Sequence, residues 1–166
     1  MTAIRYHPLS EADPEQLLAI LNNIRTRTHL ISHPEFTLQS LAGWVSDKQE
    51  ENQQPGCRVC AVDINGELAG WCGIQRSEKD YELAIVIGQT GWGAGPQIFR
   101  DMMGWASELG HSEVIIHLLD SRRDYRFIRR LAREVYETEL LGRRFTTYRL
   151  SVGSADQIPN SNPSSL

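Results

Sequence analysis

Apolar positions change their period along the chain, and each change marks an element. Ala3–Tyr6 is a short β-like run. Asp13-Pro14-Glu15-Gln16 reads as a helix start, with Asp as N-cap, Pro at the first helical position and Gln at the third. Leu17, Leu18, Leu21 and Ile24 then share one helical face. Thr26–Phe36 keeps no period and reads as a loop carrying His29, His33 and Pro34. Thr37 caps a second helix with Leu38, Leu41, Trp44 and Val45 at helical spacing, and polar Asp47–Pro55 reads as a solvated loop. Arg58–Asp63 and Leu68–Ile74 form a hairpin across Ile64-Asn65-Gly66-Glu67, because Asn-Gly supplies the two positive-φ residues of a type I′ turn. A polar turn, Arg76–Asp80, leads to Tyr81–Ile87, which is apolar almost throughout and so reads as a strand covered on both faces.

Beyond the glycine-rich stretch Gly88–Gly95 the period turns helical. Ile98, Met102, Trp105 and Leu109 lie on one row, Phe99, Met103 and Ala106 lie beside it, and Gly110 is placed as the C-terminal cap. Val114–Leu119 is a second buried-type strand. Ser121–Arg133 reads as a helix with Phe127, Ile128 and Leu131 inward and arginines outward, and Val135–Leu141 and Phe145–Leu150 as a closing pair of strands. The order is β-α-α-β-β-β-α-β-α-β-β, an α/β domain over residues 1–150. The Ser-, Pro-, Asn- and Gly-containing stretch 151–166 is expected to be a disordered tail.

Composition narrows the class. The 166 residues suffice for one domain with one core, and 40% apolar against 23% charged residues marks a globular chain. No apolar run reaches the ~20 residues of a membrane span, and MTAIRYHPLS lacks the apolar centre of a signal peptide, so a cytoplasmic protein is expected. Three cysteines do not make a disulfide framework and suit a reducing compartment; Cys57-x-x-Cys60 has no second pair and reads as structural. The net charge of −4 is unevenly spread. Residues 121–150 carry nine arginines against four acids, the rest eight basic against seventeen acidic residues. The basic third suits a phosphorylated ligand or an acidic partner, or else is simply a solvated face. The acidic remainder disfavours duplex nucleic acid and is compatible with a cationic substrate.

The chemistry is expected at Tyr81–Ile98. A buried strand runs into Gly91-Trp92-Gly93-Ala94-Gly95-Pro96-Gln97 and directly into a helix. Small residues let backbone N–H groups converge, and the helix N-terminus adds a positive dipole end, which together suit phosphate or pyrophosphate. The same stretch, taken alone, could equally be a connecting turn. No Gly-Lys-Ser/Thr follows, so it is not a P-loop, and G-x-G-x-x-G is not matched.

Over residues 3–150 this order of elements, together with Trp92-Gly93-Ala94-Gly95 after the strand Tyr81-Glu82-Leu83-Ala84-Ile85, resembles the GNAT superfamily of acyl-CoA-dependent N-acetyltransferases. It is most similar to the branch that acts on ribosomal proteins and small amines. The resemblance implies a single domain with a mixed, mostly antiparallel sheet of six or seven strands and helices on both faces. Strands 4 and 5, here Tyr81–Ile87 and Val114–Leu119, would splay into a V-shaped cleft. It implies acetyl-CoA as cosubstrate, no metal, and an amine acceptor. The pyrophosphate would lie on Trp92, Gly93, Ala94, Gly95, Pro96 and Gln97, and the pantetheine arm would lie in the cleft as a substitute strand. The N–H groups of Ile85, Val86 and Ile87 would face the developing oxyanion. A homodimer is compatible with the family, and so is an RNA-linked acceptor; no membrane is implied.

Two slots depart from the family pattern. Gln97 stands where Gly or Ala is usual, after Pro96, which lacks an N–H donor. Ile128 stands in the slot of the usual tyrosine acid, and Ser121 in that of an asparagine that hydrogen-bonds the pantetheine arm. Glu82, the only carboxylate inside its strand, is the candidate base acting through water, or else an edge residue in a salt bridge. Tyr125, three positions before Ile128, is the candidate acid for the departing thiolate. His29 and His33 would lie at one lip of the acceptor site, and His117, inside a buried strand, reads as a satisfied core residue. The expected activity is transfer of acetyl from acetyl-CoA to a primary amine of a small molecule or protein N-terminus, by direct attack in a ternary complex. The alternative is a non-catalytic domain of this shape, binding coenzyme A or, through its Arg-rich helix, an acidic partner.

Overall fold

Capping chemistry sets the first two helices where the sequence places them. A computed structural model describes residues 2–23, 35–88, 93–119, 126–140 and 142–153. Strand β1 (Ile4–His7) and a 3-10 turn (Leu9–Glu11) precede α1 (Pro14–Asn22), whose N-cap Asp13 accepts from the N–H groups of Glu15 and Gln16. In α2 (Leu38–Asn52), Thr37 and Ser40 form a reciprocal capping box. Residues 24–34, which include His29 and His33, lie outside the described residues. At their two ends Asn22 clasps Phe36, its amide accepting from the Phe36 N–H and donating to the Phe36 carbonyl, both at 2.8 Å.

The polar stretch expected to be a loop from Asp47 instead continues α2 to Asn52. Polarity there reflects a solvated helix face. Lys48 pairs with Glu51 one turn on, and Asn52 accepts the N–H of Val59 at 2.7 Å, which fastens the helix end to the next strand. The hairpin of β2 (Arg58–Ile64) and β3 (Glu67–Ser77) turns on Asn65 and Gly66 at φ 53° and 85°, the expected positive pair. A second tight turn, with Glu78 at φ 54°, joins β3 to β4 (Asp80–Ile87). Helix α3 (Gly95–Glu108) buries Ile98, Phe99, Met102, Met103 and Ala106, and Gly110 follows it at φ 84°. Strand β5 (Glu113–Leu119) comes next, then α4 (Arg126–Leu131), β6 (Ala132–Leu140) and β7 (Arg143–Ser151). Helical periodicity suggested that α4 would run to Arg133. It stops at Leu131 because Ala132 already pairs with Leu150 of β7. Strand β7 reaches Ser151 and Val152 is buried, so the core extends past the expected boundary at 150; residues 154–166 lie outside the described residues.

The seven strands form one sheet in the order β1-β2-β3-β4-β5-β7-β6, antiparallel everywhere except between β4 and β5. On one face α3 covers Cys72, Ile74, Leu83, Val114, Ile116 and Leu118, and Ile128 of α4 joins the same core. On the other face α1 and α2 cover Val59, Ala61 and Trp71, with Ala84 and Val86 at the margin. Helices therefore flank both faces, as the α/β reading expects.

Strand β4 leaves no room for a side chain at Gly70 of β3. A Cβ placed there would lie 1.9 Å from the Val86 carbonyl oxygen and 3.0 Å from Ile87 Cα, whereas one at Gly43, on the exposed side of α2, meets nothing within 4 Å. The two glycines should respond oppositely to alanine. Gly70→Ala is expected to lower stability by about 2–3 kcal/mol, since backbone must move to admit the methyl. Gly43→Ala is expected to raise it by up to about 1 kcal/mol through helix propensity. Urea denaturation of the two variants measures both.

Candidate active site

A parallel strand pair needs a crossover, and here α3 provides it between β4 and β5. Their pairing is confined to one residue pair, Glu82 with Ile115. Beyond that pair β4 continues on β3 to Ile87, and β5 continues on β7 to Leu119. The two strands thus part toward their C-terminal ends and leave a V between two backbone edges.

The closed end of the V is held by Arg149 on β7. Its guanidinium donates to Asp80 at the start of β4 (3.0 Å), to Glu113 at the start of β5 (2.9 Å) and to the Tyr136 hydroxyl on β6 (3.3 Å). One side chain therefore ties four strands. The pairing depresses the Asp80 carboxyl below its ordinary range, with the Arg149 hydrogen bond as the main cause, and raises the Arg149 guanidinium.

The open end of the V is where α3 begins. The N-cap, Ala94, offers no side chain to the first turn, Pro96 occupies that turn, and no acidic residue lies in it. Among the described residues, Cβ atoms built at Gly93 and Gly95 meet nothing within 4 Å. A 14-residue helix thus presents an uncapped N-terminus beside open space, which is the environment an anion such as a pyrophosphate needs. Gln97, in the departing slot, is occupied within the helix, donating to Asp101 at 3.0 Å. Asp101 also accepts from the Tyr6 hydroxyl of β1. Burial and this carboxylate push the Tyr6 phenol far above its ordinary value, so it stays a donor.

Glu82 shares the α1/α2 face with Ala84 and Val86, and a row of polar side chains crosses the sheet through it. Lys48 of α2 donates to the side-chain amide oxygen of Gln75 on β3, and the Gln75 amide nitrogen donates to Glu82 Oε1 at 2.9 Å. Glu82 Oε2 lies 3.6 Å from Nε2 of His117 on β5. His117 Nδ1 lies 2.7 Å from the Thr147 hydroxyl of β7, which lies 2.7 Å from that of Thr138 on β6. The His117 ring also stands edge-on to Phe145. Burial lowers the imidazole below its ordinary value, with the carboxylates of Glu82 and Asp80 opposing, so the ring is neutral at pH 7.

Glu82, Ile85, Val86 and Ile87 lie on β4, Gly93 and Ala94 lead into α3, and Gly95, Pro96 and Gln97 form its first turn. Trp92, Ser121 and Tyr125 lie outside the described residues. Ile128, in the tyrosine slot, is buried in the core. Cys57 precedes β2 and Cys60 lies within it. All three thiols are free and buried, Cys60 facing Cys72 across the hairpin with Sγ atoms 3.8 Å apart. His117 was read as a core residue, and it is hydrogen-bonded and largely buried. What that reading missed is its partner, Glu82. The available signal was the one polar side chain beyond Glu113 in an otherwise apolar β5. Among the described residues no three His, Cys, Asp or Glu side chains converge as metal ligands, and no helix is long and apolar enough to cross a membrane.

Comparison with known proteins bears directly on this geometry. The family profile described as "Acetyltransferase (GNAT) domain" matches residues 4–121. No curated protein matches the sequence. Among solved structures, an N-acetyltransferase from Staphylococcus aureus Mu50 shares 15% identity at a TM-score of 0.65, over 92% of this chain and 99% of that one. Spermidine N-acetyltransferase from Vibrio cholerae, in complex with CoA and spermine, shares 14% at 0.66, over 90% and 93%. A domain from Methanocaldococcus jannaschii DSM 2661 shares 15% at 0.68, over 90% and 100%. At such identities the structures show a common fold.

The Arg149 clamp has a pH signature. Because the Asp80 pKa is lower folded than unfolded, its contribution is complete above the ordinary value of 3.8 and is lost as pH falls through the folded value. Arg149→Met is expected to cost about 1–3 kcal/mol at pH 7 and to flatten the fall of Tm with pH below about pH 4. Thermal melts of both proteins across that range measure it.

Proposed function

Because the chain belongs to the GNAT acetyltransferase family, we propose that it transfers the acetyl group of acetyl-CoA to a primary amine, of a small molecule or a protein N-terminus, by direct attack in a ternary complex. The observation that carries this reading is the V between β4 and β5, with an uncapped helix N-terminus at its open end and a carboxylate, Glu82, at its closed end. The backbone edges fit an amide-bearing pantetheine arm laid in as a substitute strand. The N–H groups at Gly93–Gln97 would hold the pyrophosphate, Pro96 excepted because it has none. Those of Ile85 and Ile87 are the candidates to receive the carbonyl oxygen as it gains charge, whereas the Val86 N–H, two residues before the Gly88 N–H that donates to Ala69, points to β3. Trp92 and Ser121 are the further residues assigned to the coenzyme, and Tyr125 the acid for the thiolate. The reading places the chemistry in the cytoplasm.

Glu82 serves as the base in this reading. An alkylammonium has a pKa near ~10 and must lose a proton before its lone pair can attack. Glu82 would take that proton through a water molecule. The amine then bonds to the carbonyl carbon, the C–S bond breaks, the thiolate takes a proton from the acid, and the second proton lost by the amine nitrogen restores that acid. Substrate identity beyond a primary amine is left to an amine panel.

Acetyl-CoA is expected to raise the Tm, since a ligand at a hundredfold excess over its Kd stabilises by about 2.7 kcal/mol. Gly95→Asp should abolish that shift while leaving the unliganded Tm close to wild type, because its side chain enters open space and repels a pyrophosphate. No shift at millimolar acetyl-CoA would remove the coenzyme from the reading. For Glu82→Gln, kcat should fall about 10²–10⁴-fold, with KM for acetyl-CoA nearly unchanged and the deficit shrinking as pH rises toward the pKa of the amine. Unchanged kcat in the folded variant at pH 7 would end the assignment of Glu82.

A further inference from the structure

We propose that His117 is the positioning residue for Glu82, donating from Nε2 to the carboxylate oxygen that Gln75 leaves open and so fixing the direction of the other lone pairs toward the acceptor. This rests on the reading of Glu82 as the base. The geometry supplies each element. Gln75 holds Oε1 of Glu82 at 2.9 Å, and His117 Nε2 faces Oε2 at 3.6 Å, longer than a hydrogen bond and of the kind that tightens when substrate binds. His117 cannot swing away: its Nδ1 is tied to Thr147, which is wholly buried, and Thr147 is tied to Thr138. Proton positions follow from the end of the row. A carboxylate only accepts, so Nε2 carries the hydrogen, Nδ1 accepts from the Thr147 hydroxyl, and Thr147 accepts from Thr138.

The protonation state of the ring matters to this role. A neutral imidazole orients Glu82 without cancelling its charge, whereas an imidazolium would pair with the carboxylate and weaken it as a base. The charged and titratable groups around the ring are Glu82 and Asp80 on β4, with Arg149 of β7 engaged by Asp80. Lys48 of α2 reaches Glu82 only through Gln75. Burial outweighs the two carboxylates and keeps the ring neutral near pH 7. His117 itself neither gains nor loses a proton during turnover.

The test combines kinetics of His117→Phe and His117→Gln, each made in the wild type and in Glu82→Gln, with NMR titration of the His117 ring. His117→Phe should lower kcat about 10–100-fold and leave KM for acetyl-CoA unchanged. His117→Gln, whose amide nitrogen can occupy the place of Nε2, should recover most of the loss. In Glu82→Gln, His117→Phe should cost nothing further. The acid limb of the kcat profile should follow the NMR titration of His117, and that titration should move to lower pH in Glu82→Gln, where the supporting charge is gone. Full kcat in His117→Phe, additive losses in the double variant, or a titration indifferent to Glu82→Gln would each overturn the proposal while leaving acetyl transfer intact. A wild type inert toward every amine overturns the acetyl-transfer reading and this proposal together. Should His117→Phe fail to fold, the titration alone decides.

Discussion

The interrupted ladder between β4 and β5 is the constraint around which the rest of the molecule is organised. Six strand pairs hold the sheet together, and five are antiparallel ladders of four or more residue pairs; the sixth is the single pair Glu82–Ile115. Two parallel strands that separate after one pair would leave their sheet without cohesion at its middle. Two features compensate. Arg149 draws the starts of β4 and β5 together with charge-assisted hydrogen bonds, and α3 packs across both strands.

The parts of the fold that sequence revealed are those governed by neighbours in the chain. Asp13 and Thr37 cap because their side chains reach N–H groups two and three residues on, and Asn65-Gly66 turns because those residues accept positive φ. The misread stretches depended on distant partners. Residues 47–52 look like a loop until Asn52 is seen fastened to Val59 and Lys48 to Gln75. Ala132 looks helical until β7 claims it. The family slots singled out the glycine stretch and Glu82 as candidates, and the residue in the tyrosine slot, Ile128, is core.

His117 illustrates the same boundary within the site. Its burial is written in its own strand, where Val114, Ile116 and Leu118 face α3 and alternation turns His117 to the other side. Its meeting with Glu82 is not. That contact requires the parallel register Glu82–Ile115, set by a crossover of more than twenty residues between the two strands. No local pattern encodes such a register, so a carboxylate and an imidazole from separate strands became neighbours unannounced.

The split sheet also divides the molecule's cooperativity. Strands β1 to β4 form one continuous antiparallel block, and β5, β7 and β6 form another. The core beneath α1 and α2 draws on the first block alone, while only the core beneath α3 spans both. The second block is tied to the first through the α3 core, the Arg149 clamp and one ladder pair. An extended ligand hydrogen-bonded to both edges of the V would become the missing strand that fuses the two, and amide exchange across the whole sheet would then slow as one unit.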